Sequence, residues 1–159
     1  MDKNGDPLAS HRILSNDEVQ RGDVLPNPAI SWMADGNYSW LCNQYRFYSN
    51  ELFRGGKYPL YLWPPHCILG SDGHPLVGVI NEARMFHAYV RGTQSNCEVK
   101  GGNPFTENFS VYRPEVLMRF DGKPLAQKNT KFLEKTLKYD KTVIMGQAAS
   151  HCVKSSIDD

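Results

Sequence analysis

Short apolar runs alternate with helix-period stretches, and each run ends in a turn of Gly or Pro. This is the feature that most narrows what the chain can fold into. Tyr58-Pro59-Leu60-Tyr61-Leu62-Trp63 is an apolar run stopped by Pro64-Pro65, and it reads as a buried strand opening into a loop. Cys97-Glu98-Val99 is a short strand candidate running into Gly101-Gly102. A third strand spans Lys141 to Met145, holds Thr142, Val143 and Ile144, and ends at Gly146. The intervening stretches carry helical spacing. Tyr38, Leu41, Tyr45, Tyr48 and Leu52 recur at intervals of three and four until Gly55-Gly56 supplies a stop. Leu76, Ile80, Ala83 and His87 share one face of a second helix from Leu76 to Arg91. Gln127 to Tyr139 reads as a third helix, and a fourth begins near His151. This order predicts an α/β fold, a three-layer Rossmann-like parallel sheet with helices on both faces. Three strands are few for that architecture, so the sheet is expected to be incomplete.

The length of 159 residues suits one domain with a single core. Within it, residues 38–159 form the expected α/β core. Residues 1–37 read as an irregular, insertion-like segment lying over that core, because Gly5, Pro7, Gly22, Pro26, Pro28 and Gly36 punctuate it. One local signal stands out there: Ser15 with Glu18 three residues later is the signature of a capping box.

Charge excludes several functions. With 18 basic and 17 acidic residues and no block of like sign, the net charge is +1. The clustered Lys/Arg stripe of a nucleic-acid binder is absent. No apolar run approaches the roughly 18 to 20 residues of a membrane span, and Met1 to Ser10 is polar rather than signal-like. A cytoplasmic protein is therefore the expectation. Cys42, Cys67, Cys97 and Cys152 are widely spaced with no C-x-x-C pair, which predicts free thiols and chemistry from one individual thiolate.

In parallel sheets ligands bind beyond the C-terminal strand ends, which directs attention to three turns. In Gly146 to Val153 a turn of small residues delivers Cys152 to the start of a helix. The unpaired N–H groups there favour a thiolate and can hold an oxyanion. A small buried hydrophobe is the commonest fate of a lone cysteine, so this segment alone leaves both roles open. In Val99 to Ser110, Lys100 ends a strand and projects toward the same rim, where an ammonium would stabilise the thiolate. Taken alone, it reads better as a surface lysine beside a Gly-rich turn. In Trp63 to His74, Cys67 follows a Pro-Pro loop and is expected to pack structurally. The pairs His66-Cys67 and His151-Cys152 lack metal-ligand spacing, since adjacent side chains diverge.

Together the three turns resemble the isochorismatase/nicotinamidase-like cysteine hydrolases. The resemblance rests on the W-P-x-H-C-x-x-G-S-x-G loop of Trp63 to Gly73, the K-G turn from Val99 to Ser110, and the G-x-A-x-x-x-C-V turn of Gly146 to Val153, in matching order. It is clear from about Lys57 onward. The resemblance implies Cys152 as nucleophile and Lys100 as the lysine of a Cys-Asp-Lys triad. It also implies a cis peptide at Gln147-Ala148, with the N–H groups of Ala148 and Cys152 as oxyanion hole. The family's aspartate, which ends an apolar N-terminal strand, has no match: Asp2, Asp6, Asp17 and Asp23 all stand in polar, turn-like surroundings. The zinc ligands of nicotinamidases have no match either, and His11 does not fit that motif, so no cofactor is identifiable. The chain also stops soon after Cys152, and it reads as an internal fragment of such an enzyme.

The implied function is hydrolysis of a small amide through a Cys152 thioester, impaired by the missing aspartate. Trp63 and Phe105 are pocket candidates for a planar ring, with core packing an equal alternative for each. Partners are then a small-molecule amide, with no nucleic acid and no membrane; a homo-oligomer is allowed. The rival is a non-catalytic remnant or binding module of the same fold. A redox thiol protein is disfavoured by the lack of a resolving cysteine near Cys152 or Cys67.

Overall fold

The computed structural model describes residues 1–159. Along the chain lie strand β1 (Arg12–Leu14), helix α1 (Asn16–Arg21), a 3-10 segment (Pro28–Ala34), helix α2 (Tyr38–Arg54), strand β2 (Leu60–Leu62), helices α3 (Gly78–Arg91) and α4 (Thr130–Thr136), a wide π-type turn (Ala149–Val153), and helix α5 (Lys154–Asp158). No helix is long and apolar enough to cross a membrane.

The expected parallel Rossmann-like sheet is not formed. The only sheet has two strands, β1 and β2, paired antiparallel with Arg12 opposite Leu62 and Leu14 opposite Leu60. Of the three runs read as strands, only the first contains one, and its partner precedes it in the chain. Cys97–Val99 and Lys141–Met145 join no ladder, and Val99 and Val143 stand 70% and 77% exposed. The physical reason is that a short apolar run specifies a wish for burial, not a partner. A parallel strand needs neighbours along both edges and helices over both faces, and neither run has them here.

The helices follow their signals more closely. Asn37 caps α2, its side chain accepting from the Trp40 amide at 2.9 Å. The helix buries Leu41, Gln44, Tyr48, Ser49 and Leu52 on one face. It ends at Gly55, as the glycine pair predicts. Helix α4 is shorter than the stretch Gln127 to Tyr139, because Asn129 caps it through the Phe132 amide and it closes by Leu137. Helix α3 forms over nearly the expected span but buries no residue, so the face carrying Ile80 and His87 remains uncovered.

The core sits where β1, α1 and the first turns of the chain meet α2 and β2. Leu14, Val19, Val24, Tyr48, Leu52, Leu60 and Val116 form one buried cluster. Strand alternation sorts the ribbon: the Leu14–Leu60 pair faces this core, while Ile13 and Tyr61, also opposite one another, face the other side. That second side becomes one wall of the site described below.

The capping box at Ser15 forms as its spacing predicts. Glu18 donates its amide to Ser15 Oγ at 3.2 Å, and the Glu18 carboxylate accepts from the Ser15 amide at 3.0 Å and from Arg12 at 2.6 Å. The Ser15 backbone and hydroxyl hydrogen bonds, then Arg12, hold the Glu18 carboxyl down to about 2. A depressed carboxylate contributes stability that is complete above its unfolded value, about 4.3, and is lost as pH falls through the folded one. Urea midpoints measured from pH 6 to pH 2 are expected to drop for the wild type below about pH 4.3. Glu18→Gln should start lower at pH 6 and converge with the wild type near pH 2. Parallel curves across that window would show that the box contributes nothing to acid stability.

Candidate active site

Lys100 and Cys152, fifty-two positions apart, meet at a hydrogen-bond distance: Lys100 Nζ lies 3.0 Å from Cys152 Sγ. Lys100 Nζ also donates to the carbonyls of Asn108 at 2.9 Å and Phe109 at 2.8 Å. An ammonium has three N–H donors and no acceptor. Two are spent on fixed backbone carbonyls, so the third is aimed at the sulfur by construction. Lys100 itself is exposed while Cys152 is half-buried, so the charge meets the thiol at the edge of solvent.

The carbonyls that aim Lys100 belong to a well-tied strip. The Glu107 carbonyl accepts from the Glu115 amide at 2.8 Å, and buried Thr106 donates to it at 3.1 Å. Ser156, in α5, joins this strip to the cysteine turn: its hydroxyl donates to the Cys152 carbonyl at 2.8 Å and accepts from the Val111 amide at 3.1 Å. Ser156 therefore positions both partners of the pair, a role that no spacing in the sequence announced.

Cys152 opens onto a cavity of about 690 Å3 lined by residues from four parts of the chain. One wall is the outer face of the ribbon, Ile13 and Tyr61, continued by Trp63 and His66; the Tyr61 and Trp63 ring centroids are 4.4 Å apart. Tyr58, Phe109 and His151 form a second group of packed rings on the lining. The His151 ring stacks on Tyr58 at 4.0 Å, and the Tyr58 hydroxyl donates to the Ser150 carbonyl at 2.7 Å. Ala148 and Cys152 both lie on the lining, and the Gln147–Ala148 peptide is cis. A cavity lined by two groups of rings suits a flat, partly apolar molecule beside the thiol.

The structure separates the two aromatic pocket candidates. Trp63 lines the Cys152 cavity, whereas Phe105 lines a different one and packs edge-on against Trp40 at 5.4 Å. Cys67 is exposed, with a left-handed φ of 49°, and so packs against no core. All four cysteines are free thiols. No three His, Cys, Asp or Glu side chains gather as a ligand set, so the residues present do not fit the zinc of intact nicotinamidases.

Most of the lining carries no signal in the sequence. Tyr58 reads there only as a strand residue. Glu107, inside the turn Val99 to Ser110, is the one carboxylate on the lining. Burial raises its carboxyl above the ordinary range. A glutamate seven positions beyond Lys100 carries no spacing rule, so only the fold could reveal it.

No family model matches the chain, and no solved structure matches it. Among proteins of known function it is similar to the nicotinamidase of Escherichia coli (strain K12), with 27% identity over 104 residues. The matched stretch covers 64% of this chain and 40% of that enzyme, so the chain spans less than half the length of the relative. This distant similarity agrees with the resemblance to the isochorismatase/nicotinamidase-like cysteine hydrolases carried by the three turn motifs.

Proposed function

We propose that the chain is a cysteine hydrolase of small amides, with Cys152 as nucleophile and Lys100 as its ionic partner. The observation that carries this reading is the 3.0 Å contact between Lys100 and Cys152, the latter on the lining of a cavity rich in aromatic rings. The thiolate attacks the amide carbonyl, the oxyanion is held by backbone N–H groups of Ala148 and Cys152, the amine leaves, and water releases the acid from the thioester. Rings such as Trp63 and Tyr58 on the lining suit a planar amide of nicotinamide size. The Escherichia coli relative, a nicotinamidase, points to the same substrate class.

The test is ammonia release from nicotinamide and a panel of small aliphatic and aromatic amides, using the folded chain with and without prior iodoacetamide. Release that disappears on alkylation of Cys152 is the expected result. A folded chain that releases no ammonia from any amide would sink the hydrolase reading.

A second reading, a non-catalytic binding module, is favoured by a separate observation. The chain exposes 11339 Å2 for a mass of 18.0 kDa, against about 8,000 Å2 expected of a compact monomer of that mass. Apolar residues of α3 are among those exposed, with Val79, Phe86 and Tyr89 at 68%, 71% and 87%.

A further inference from the structure

The Lys100–Cys152 contact lies at the edge of solvent, where an ion pair gains little unless both partners are already held. The lysine is held by the carbonyls of Asn108 and Phe109. The cysteine is not held by its own segment. The wide turn Ala149–Val153 and helix α5 bury no residue and have no side-chain N-cap. A helix of five residues also has little stability of its own. Something outside the segment must fix where the sulfur stands.

Two hydroxyls do so. Ser156 ties the Cys152 carbonyl to the Val111 amide. Tyr58 reaches further. Its hydroxyl donates at 2.7 Å to the carbonyl of Ser150, two residues before Cys152 and 92 positions along the chain. Its ring stacks on His151 at 4.0 Å, with 19° between the planes, and meets Phe109 edge-on at 5.6 Å. His151 adjoins Cys152, and Phe109 carries one of the two carbonyls that hold Lys100. One side chain therefore touches both arms of the pair.

Tyr58 is also firmly moored. Leu60, two residues on, is 5% exposed in the core cluster and pairs with Leu14. Lys57, one residue back, is paired with buried Glu115 at 2.9 Å and donates its amide to the Leu52 carbonyl at 2.9 Å. Between them, Pro59 favours extended backbone at Tyr58.

We infer that Tyr58 is a positioning residue for the Lys100–Cys152 pair, fixing the cysteine turn to the core ribbon so that the ammonium stays against the sulfur. The inference deepens the amidase reading and rests on it for what the pair is used for. Without the hydroxyl the turn is free to drift from Lys100, and the charge coupling weakens with distance.

The experiment is a double-mutant cycle of Tyr58→Phe and Lys100→Met in the full chain, read by the rate of iodoacetamide labelling of Cys152 at pH 7. Phenylalanine keeps the ring and deletes only the hydroxyl, and methionine keeps the lysine stem and deletes the ammonium. With Lys100 present, Tyr58→Phe is expected to slow labelling about threefold, because a displaced ammonium favours the thiolate less. In the Lys100→Met background it should leave labelling unchanged, so that the two effects are not additive. A merely structural loosening would bare the sulfur and speed labelling in both backgrounds. Labelling of half-buried Cys42 in the same spectra reports folding. Should Tyr58→Phe fail to fold, Tyr58→Leu, which keeps apolar bulk without the hydroxyl, takes its place in the cycle.

The inference is overturned if a folded Tyr58→Phe labels at the wild-type rate or faster, or if the slowing is the same with and without Lys100. Ammonia release adds a second readout. On an amide the wild type hydrolyses, Tyr58→Phe should lower kcat about tenfold and leave KM within about twofold. A rise in KM alone, with labelling unchanged, would make Tyr58 a substrate contact and overturn the positioning role. A wild type that releases no ammonia removes the amidase reading, and the labelling cycle then still decides whether Tyr58 positions the pair.

Discussion

Replacing Cys152 by alanine is expected to cut ammonia release roughly 10^4-fold or more, the scale on which loss of a nucleophile acts when the rest of the site still binds substrate. Lys100→Met is expected to cost about 10^3-fold, because it removes both a charge beside the thiolate and a donor to the leaving group. The second variant says more about mechanism. Lys100 Nζ reaches the sulfur at 3.0 Å while anchored by two carbonyls, so methionine keeps the stem and deletes only the ammonium. Cys152 labelling by iodoacetamide at pH 7 should then slow about tenfold. Because the ammonium is partly in water, the labelling effect should shrink with added salt. Initial rates of ammonia release and labelling, both across a salt series, check this. Equal labelling of Cys152 in wild type and Lys100→Met would mean that the contact carries no charge coupling.

What the sequence announced and what it withheld divide along a physical line. Signals read from neighbours a few residues apart were legible: the Ser15–Glu18 capping box, the buried stripe of α2 from Leu41 to Leu52, and its glycine stop all form. Motif order also led to Lys100 and Cys152, which the chain brings into contact across fifty-two positions. Pairing was not legible. The Tyr58–Trp63 run contains a strand, but its partner is Arg12–Leu14, three residues hidden among turn formers. Nothing in an apolar run says which other run it will meet. Hence a parallel sheet was expected from alternation alone, while the chain makes an antiparallel ribbon whose outer face, Ile13 and Tyr61, walls the cavity. Trp63 and Phe105 show the same limit: both are aromatic residues near motif turns, yet only Trp63 lines the Cys152 cavity. Glu107 and Ser156 depend on tertiary placement entirely.

Hydrogen exchange is expected to split the molecule into two tiers, with amides of α2 protected at least about a thousandfold more than those of α3. The two helices are of similar length, 17 and 14 residues, so intrinsic helix formation does not distinguish them. An isolated helix shorter than about 15 residues is marginal in water, and α3 has no side-chain N-cap and no buried residue to add to that margin. Its amides should therefore exchange nearly as in a free peptide. Helix α2 buries Tyr48 and Leu52 in the one apolar cluster, so its amides open only when that cluster does. Leu52→Ala, at a position 1% exposed, is expected to cost about 3 kcal/mol. That should lower α2 protection roughly a hundredfold while leaving α3 unchanged. Equal protection of both helices would contradict the two tiers and would mean that the apolar face of α3 is covered in solution. Repeating the exchange over a hundredfold range of protein concentration would then show whether a second copy of the chain covers it.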